Sequence, residues 1–518
     1  MIRKQALREF LQRQRNDWRR FKKLTADEIE AKKNKLVVKP PIWKKLHLHQ
    51  KVMFLLGVYM RRFGFFAATG TGKTLVSLAI VRYLMKRGII KRILILVPNR
   101  PNKWEWSREI DKHSPSFKYI VLNGASTRKW SLFHDNPNAS VIETYAGMSR
   151  MLCTKELIKK RGSKKLIPKL VPNKKLVREF AGAFDGLILD ESTEVKNNQT
   201  LPYRICRQLS KHAKTVLALT GTPFGRDPID LWSQLYLLDK GETLGETLGL
   251  YRAAFFKENE NTWTGFPIWE FDDDKKALLN KFLANRTIRY KAKESDLPKC
   301  VQITKYVTLP KDAKQYYDEA KEQLKKARGN YLETKNAFLR ARQISSGFLG
   351  FKDDETGAKA KFDFFPNTKL EALLALLATI EDKFIVFHDF IHSGDLISTE
   401  LKKRKIGHVR LYGKTKNEQE VLYAFDKDHK VQGLLLASEA GAMGLNLQIA
   451  KYGIFYESPV PVITRQQCQG RFIRQYGVHK TVFMYDFVMQ GTADLAILKW
   501  HAKGKSLFDG IIEGKAVL

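Results

Sequence analysis

Between Ile42 and Asp239 the chain alternates short, uninterrupted apolar runs with longer stretches in which apolar residues recur at helical spacing. The runs are Phe63 to Phe66, Arg92 to Val97, Val141 to Ile142, Leu187 to Leu189 and Thr215 to Leu219. A strand that reads apolar on both faces is buried on both, which is the habit of parallel sheets covered by helices. A second series obeys the same rule: Phe384 to Phe387, Val409 to Tyr412, Gly433 to Ala437, Gly453 to Tyr456 and Val482 to Tyr485. The expected class is α/β, with two parallel-sheet lobes. Between the two series the strand-like runs mostly vanish. Lys311 to Arg342 keeps a helical period through Tyr316, Tyr317, Ala320, Leu324 and Ala327, which predicts helical insertions between the lobes. The resulting division is a basic helical extension over 1–41, a first lobe over 42–240, insertions and linker over 241–365, and a second lobe over 366–518. Thr25 followed by Glu28 has the spacing of a helix capping box inside the extension.

Charge changes this picture. The 518 residues hold 92 Lys and Arg against 54 Asp and Glu, a formal charge of +38. Such an excess predicts a polyanionic partner, nucleic acid above all, because cationic side chains release counterions from phosphate backbones. A merely soluble Lys-rich surface is the alternative. Residues 1–45 carry 15 Lys/Arg and 5 Asp/Glu, so the extension reads either as an accessory nucleic-acid arm or as a solvated helical face packed on the first lobe. Ile158 to Lys175 is basic and nearly acid-free around Gly162 and Pro168, and reads as a surface loop, either beside nucleic acid or simply solvated. Cys153, Cys206, Cys300 and Cys468 lie far apart without zinc-ligand spacing, and His47 and His49 read as structural. The first twenty residues lack the apolar core of a secretory signal, and the longest leucine-rich stretch, Ala372 to Ile380, is about half the roughly 20 residues of a membrane span. A cytoplasmic protein without a membrane partner is expected.

The chemistry is carried by two short segments. Ala67-Ala68-Thr69-Gly70-Thr71-Gly72-Lys73-Thr74 follows an apolar run and opens a helix-patterned stretch, which is the setting of a phosphate-binding loop. Gly70 and Gly72 let backbone N–H groups turn toward the β- and γ-phosphates of ATP, Lys73 neutralises them, and the Thr74 hydroxyl is a Mg²⁺ ligand. Ala67 stands where the strict pattern has glycine. Leu187-Ile188-Leu189-Asp190-Glu191 ends a buried run in two carboxylates, Asp190 for the Mg²⁺ shell and Glu191 to orient and deprotonate the attacking water.

With the rest of the chain, these motifs resemble the superfamily 2 helicases, and more closely their Swi/Snf-type translocases, from about Leu46 to Thr492. The resemblance implies two RecA-like lobes. Leu46-His47-Leu48-His49-Gln50 looks like the adenine-reading Q motif, with Gln50 as reader, and Ile95-Leu96-Val97-Pro98 followed by Trp104 is similar to motif Ia. Glu143-Thr144-Tyr145 looks like motif Ib, Asp190 to Thr193 stands at motif II, and Leu219-Thr220-Gly221-Thr222-Pro223 matches motif III. The stretch from Arg289 to Tyr317 resembles the Swi/Snf-type entry to the second lobe. There, Leu411 to Thr415 and Ala437 to Leu447 look like motifs IVa and V, and Gln467 to Arg474 looks like motif VI.

From this resemblance Arg471 and Arg474 are expected as arginine fingers, and Thr69, Thr71 and the rest of the loop as ATP ligands. Pro98, Thr144, Thr220, Ser438 and Gly441 are expected to touch nucleic-acid phosphates, with Gly221, Thr222 and Gln467 coupling the two activities. The implied activity is ATP-dependent tracking along duplex DNA without regard to sequence, by a monomer in a bacterial or phage-infected cytoplasm. A strand-separating or annealing helicase, and a DNA-binding scaffold without hydrolysis, are the alternatives. The chain departs from the family at Thr193, where His or Asp is usual, at Gln475-Tyr476-Gly477 after Arg474, and at Ser458-Pro459-Val460-Pro461 near motif V.

Overall fold

The computed structural model describes residues 4–507 except 69, 160–165, 222, 224–227, 260–267, 291–296, 328–329, 353–358, 414, 416, 442–444, 446, 475–477 and 505–506. The chain separates into two compact units, Met1–Ala292 and Lys293–Leu518. Among the described residues no helix is long and apolar enough to cross a membrane.

The first unit is built on β1 (Arg62–Ala67), β2 (Ile93–Val97), β3 (Tyr119–Val121), β4 (Ser140–Thr144), β7 (Gly186–Asp190), β8 (Thr215–Thr220) and β11 (Thr287–Tyr290). They form one parallel sheet in the order β11-β1-β8-β7-β2-β4-β3. Alternate side chains divide between its faces, as strand geometry requires. Phe66, Leu94, Leu96, Leu187, Leu189 and Val216 join one buried cluster, and Phe63, Phe65, Ile93, Ile95, Ile188 and Leu217 join the other. Two ribbons stand apart from the sheet: β5 (Cys153–Lys159) with β6 (Leu166–Pro172), and β9 (Phe256–Asn259) with β10 (Ile268–Phe271).

The second unit carries a parallel sheet in the order β12-β19-β18-β15-β17-β16. Its strands are β12 (Lys299–Val307), β15 (Phe384–His388), β16 (His408–Leu411), β17 (Gly433–Ala437), β18 (Tyr452–Phe455) and β19 (Thr481–Met489). A further ribbon pairs β13 (Phe348–Lys352) with β14 (Lys359–Asp363). Here too the faces alternate, with Ile385, Phe387, Leu434 and Leu436 in one cluster and Phe384, Val386, Leu435 and Ile454 in the other.

The segment 241–365 carries the helices Leu248–Phe255, Lys276–Leu283, Lys311–Lys326 and Tyr331–Ser345, and it also supplies β11 to the first sheet, β12 to the second and both halves of two ribbons. One expectation is corrected. The basic tract beginning at Ile158 is not a loop along its length, since β5 and β6 pair from Cys153↔Pro172 to Lys159↔Leu166. Its central residues, 160–165, lie outside the described set.

The extension is packed on the first unit. Phe10, Phe21 and Ile29 are buried in the two clusters, and Thr25 and Glu28 make the expected capping box. Arg15 lies 3.6 Å over the Phe282 ring, and the Trp18 N–H donates to Ala284 O at 3.2 Å. At the root of β1, half-buried Arg62 donates to Ala213 O at 2.6 Å, Leu237 O at 2.9 Å and Ser210 O at 3.0 Å. One guanidinium thereby takes up carbonyls at the C-terminal ends of the helices Leu201–His212 and Asp230–Asp239, where helix dipoles favour a cation. Because Phe10 is 1% exposed, Phe10→Ala should destabilise the protein by about 3 kcal/mol or more, read as a lowered urea midpoint. A midpoint equal to wild type would mean that the extension does not belong to the cooperative core.

Candidate nucleotide-binding site

Three neighbouring strands deliver the site. In the sheet, Phe66 of β1 stands opposite Thr220 of β8, and Leu219 of β8 stands opposite Asp190 of β7. The phosphate-loop segment, motif III and motif II therefore leave the sheet at one edge, the carboxyl ends of parallel strands where α/β proteins place ligands.

The loop turns on glycines with positive φ, Gly70 at 84° and Gly72 at 79°, a region that side-chain-bearing residues avoid. Gly72 caps the helix Lys73–Lys86, and Thr71 donates its hydroxyl to Ala68 O at 2.8 Å. The Lys73 ammonium lies on the loop's own carbonyls, 2.6 Å from Ala67 O and 3.2 Å from Ala68 O. Gln50 is buried behind the loop: its Nε2 donates to Thr71 O at 3.0 Å, and its Oε1 accepts from the His47 N–H at 2.9 Å. A Cβ at Gly72 would collide with that same amide. Thr74 is half-buried on the first turn of the helix, and Thr69 lies outside the described residues.

Motif II is held from three directions. Asp190 Oδ2 accepts from the Trp106 indole at 2.9 Å, its Oδ1 accepts from the Glu191 N–H at 3.1 Å, and its carbonyl accepts from the Tyr145 hydroxyl at 3.0 Å. Burial pushes the Asp190 carboxyl up to about 6, against the opposing pull of the Trp106 hydrogen bond. A carboxylate whose charge is so disfavoured is suited to a cation, which would restore the charged form. Glu191 adopts a left-handed backbone with φ 49°. Its Oε1 accepts from the hydroxyls of Thr220 at 2.6 Å and Thr193 at 2.9 Å. Ser192 donates to Gln234 Oε1 at 2.7 Å, and Gln234 donates on to the carbonyls of Pro223 and Asp230. Motifs II and III are thus tied directly, and Thr193 serves in that tie. Gly221 is half-buried and Thr222 lies outside the described residues.

The residues expected to meet nucleic acid differ in exposure. Thr220 has no exposed surface and donates its hydroxyl to Glu191. Thr144 is buried as the cap of the helix Tyr145–Leu152, accepting from Gly147 N at 2.9 Å. Ser438 is 1% exposed beneath the chain. Pro98 is half-buried at the end of β2. Gly441 ends the short helix Ser438–Gly441.

Sequence reasoning missed an ion triad below motif Ib. Lys103 and Lys129 each bring an ammonium 2.5 Å from a different oxygen of Glu143, which is wholly buried. A Cβ on Gly147 would come within 2.5 Å of Glu143 and 2.6 Å of Lys129, so a larger residue there would displace the ends of the triad's side chains. It also missed Trp106, for which the only signal was a second tryptophan two positions after Trp104.

In the second unit the motif VI helix, Val462–Phe472, is pinned by Arg465, whose two terminal nitrogens reach the two Asp486 oxygens on β19 at 2.5 and 2.8 Å. The same guanidinium stacks 3.5 Å over the Phe455 ring. Gln467 and Arg471 are half-buried, and Arg471 Nε is buried with no hydrogen-bond partner among the described residues. Arg474 donates to Leu445 O at 3.0 Å.

Two parallel-sheet units, a glycine-turned loop before a helix and an acidic pair at a neighbouring strand end define a two-lobed P-loop protein of the α/β class. A family model described as the SNF2-related domain matches residues 47–355, and one described as the helicase conserved C-terminal domain matches 368–475. The chain belongs to the SNF2-related family of superfamily 2 helicases. It is 24% identical to YwqA of Bacillus subtilis, named as a candidate ATP-dependent helicase/translocase, over 96% of this chain and 51% of that protein. It is 23% identical to the ISWI chromatin-remodeling complex ATPase ISW2 of Saccharomyces cerevisiae, over 86% of this chain and 38% of that one. The chain therefore spans about half, or less, of these relatives. Among solved structures, the Sulfolobus solfataricus SWI2/SNF2 ATPase core in complex with dsDNA aligns at 20% identity and a TM-score of 0.40, covering 93% of this chain and 96% of that one.

Removing one partner of a buried pair strands the other charge, so Arg465→Met should destabilise the protein by about 3–5 kcal/mol. Denaturant unfolding of the variant reports this, and a loss below about 1 kcal/mol would show that Asp486 is adequately hydrated without its arginine.

Proposed function

We propose that this chain is a DNA-stimulated ATPase that tracks along double-stranded DNA. The observation that carries the reading is the Thr220–Glu191–Thr193 cluster at the end of β7, beside a glycine-turned loop on the neighbouring strands. In this reading ATP phosphates occupy the loop formed by Gly70, Thr71, Gly72, Lys73 and Thr74, and the Lys73 ammonium leaves the Ala67 and Ala68 carbonyls for the β- and γ-phosphates. Gln50 retains one amide hydrogen and one lone pair beyond its internal bonds, enough to read an adenine edge.

Thr74 and Asp190 would hold Mg²⁺, and both are the hard oxygen donors that ion prefers. Among the described residues no three His, Cys, Asp or Glu side chains converge, which suits an ion held chiefly by phosphates and water. When bound, it would neutralise charge developing on the phosphates. Glu191, held by two hydroxyls, orients the attacking water and accepts its proton at the carboxylate. Arg471 and Arg474, from the other unit, supply the guanidinium charge that the departing γ-phosphoryl group needs, which requires the two units to close on the nucleotide.

Closure would also move phosphate grips on the two units relative to one another. Backbone contacts of this kind track DNA without reading its sequence. The net charge of +38 supports a polyanionic track.

Phosphate release measured with and without duplex DNA tests the motor. Lys73→Ala should abolish DNA-stimulated release, while Glu191→Gln should bind ATP and stall; equal release by wild type and Lys73→Ala would overturn the reading. Displacement of a third strand from a triplex, without separation of the duplex, is the expected sign of tracking. Duplex unwinding without triplex displacement would replace it with strand separation.

Thr220→Val removes the Thr220–Glu191 hydrogen bond. A hydrogen bond to a charged group contributes about 1.5–3 kcal/mol, so kcat should fall roughly ten- to hundredfold with KM for ATP little changed. An unchanged kcat would show that Glu191 is oriented without Thr220.

A further inference from the structure

Between the helices Tyr145–Leu152 and Lys174–Gly182 the chain leaves the main sheet and runs out and back as the ribbon β5–β6. Its base is fixed: Cys153 packs on the core below, and Asn173 N donates to Leu152 O at 2.9 Å. The register pairs Lys155 with Leu170, Leu157 with Pro168 and Lys159 with Leu166. Residues opposed in an antiparallel ladder share a face, so Leu157, Leu166, Pro168 and Leu170 line one face together with Lys155. On that face Leu157 is 67% exposed, Leu166 55% and Leu170 37%. Thr154, Ile167 and Val171, on the opposite face, are half-buried.

A leucine face turned to water is unfavourable on an isolated ribbon and marks an interaction surface. The composition of the segment selects the partner. By sequence Cys153–Pro172 carries seven Lys or Arg and a single acid, Glu156, and of these cations Lys155 stands on the leucine face, so the partner is an anion that also offers an apolar wall. Double-stranded DNA has both, in its phosphate rails and in the sugar and base edges between them. The major groove of B-DNA admits a two-stranded ribbon and offers apolar contact at the thymine methyl, while cations meet the phosphates at its rims.

We propose that β5–β6 is a duplex-engaging ribbon that lies in a DNA groove, with Leu157, Leu166 and Leu170 against the groove wall and Lys155 on the backbone. The inference rests on the DNA-tracking reading and deepens it, since it assigns preference for duplex over single strand to an element outside the helicase motifs.

The test uses the full chain, a duplex of about three helical turns and a single strand of equal length. The triple variant Leu157→Ser, Leu166→Ser, Leu170→Ser alters exposed positions only, and should keep the thermal midpoint and DNA-independent ATP hydrolysis of wild type. Its duplex affinity should fall about tenfold or more, while single-strand affinity changes less than about threefold and the salt dependence is retained, because the lost contacts are apolar. Lys155→Glu should instead lower the slope of log affinity against log salt by about one or more. Duplex affinity within about twofold of wild type in the triple variant overturns the proposal. So does an equal loss on both DNA forms, or loss of binding to phosphatidylglycerol vesicles with duplex binding intact. If wild type neither binds DNA nor responds to it in ATP hydrolysis, the tracking reading itself fails, an outcome separable from a ribbon that DNA ignores.

Discussion

The parallel register of β1, β8 and β7 is the constraint on which the nucleotide site depends. Phe66 faces Thr220 and Leu219 faces Asp190 across consecutive ladders, so the chain leaves all three strands at the same level. Side chains alternate with a period of two, and a slip of one residue in any of these strands would send its apolar set to the wrong face. The two buried clusters exclude such a slip, because alternate residues of each strand are already committed to opposite sides. Core packing thus sets the Thr220–Glu191 distance, and the left-handed turn at Glu191 swings the carboxylate toward β8.

The net charge overstates the cationic surface offered to a partner, because several cations are structural. Lys103 and Lys129 clasp Glu143, Lys369 lies 2.6 Å from Asp494, and Arg342 lies 2.6 Å from Asp389. Lys369 has no exposed surface at all. Arg62 is consumed by helix-end carbonyls and Arg15 by the Phe282 ring. The extension shows a similar division of labour: Phe10, Phe21 and Ile29 enter the core of the first unit, while Arg8, Arg13, Arg20 and Lys23 are exposed. A basic tract read from sequence alone mixes these two populations, which only burial can separate.

What was legible in the sequence follows from burial as well. The interior strands β1, β2, β7, β8, β15, β17 and β18 are covered on both faces, or nearly so, and announce themselves as largely apolar runs, while β4 shows only Val141 and Ile142. The edge strands β3, β11 and β12 were not recognised, because a strand paired on one side only can be half-exposed and mix polar with apolar residues, as Lys299 to Val307 does. Motif residues with a fixed chemical type, such as Lys73 and Asp190, could be read from spacing. The residues that hold them could not. Trp106 reaches Asp190 from 84 positions away in the chain, and Gln234 reaches Ser192 from 42; no local pattern encodes either. Thr144, Thr220 and Ser438 are buried, which the motif pattern did not announce.

The motif VI helix shows why an ion pair can be preferable to an apolar anchor at one position. Arg465, Cys468 and Phe472 are its buried residues, spaced as i, i+3 and i+7 on one stripe. Arg471 follows Arg465 by six positions, which at about 100° per residue turns it roughly 240° away from that stripe. The direction of the Arg471 guanidinium is therefore slaved to the rotation of the helix about its own axis. An apolar residue at 465 would tolerate a range of rotations, since dispersion contacts are not directional. A bidentate fork onto Asp486, stacked on Phe455, does not, because both nitrogen–oxygen distances and the ring contact must be met together. Desolvating such a pair is costly in stability. What it confers in return is a fixed bearing for the arginine two turns further along.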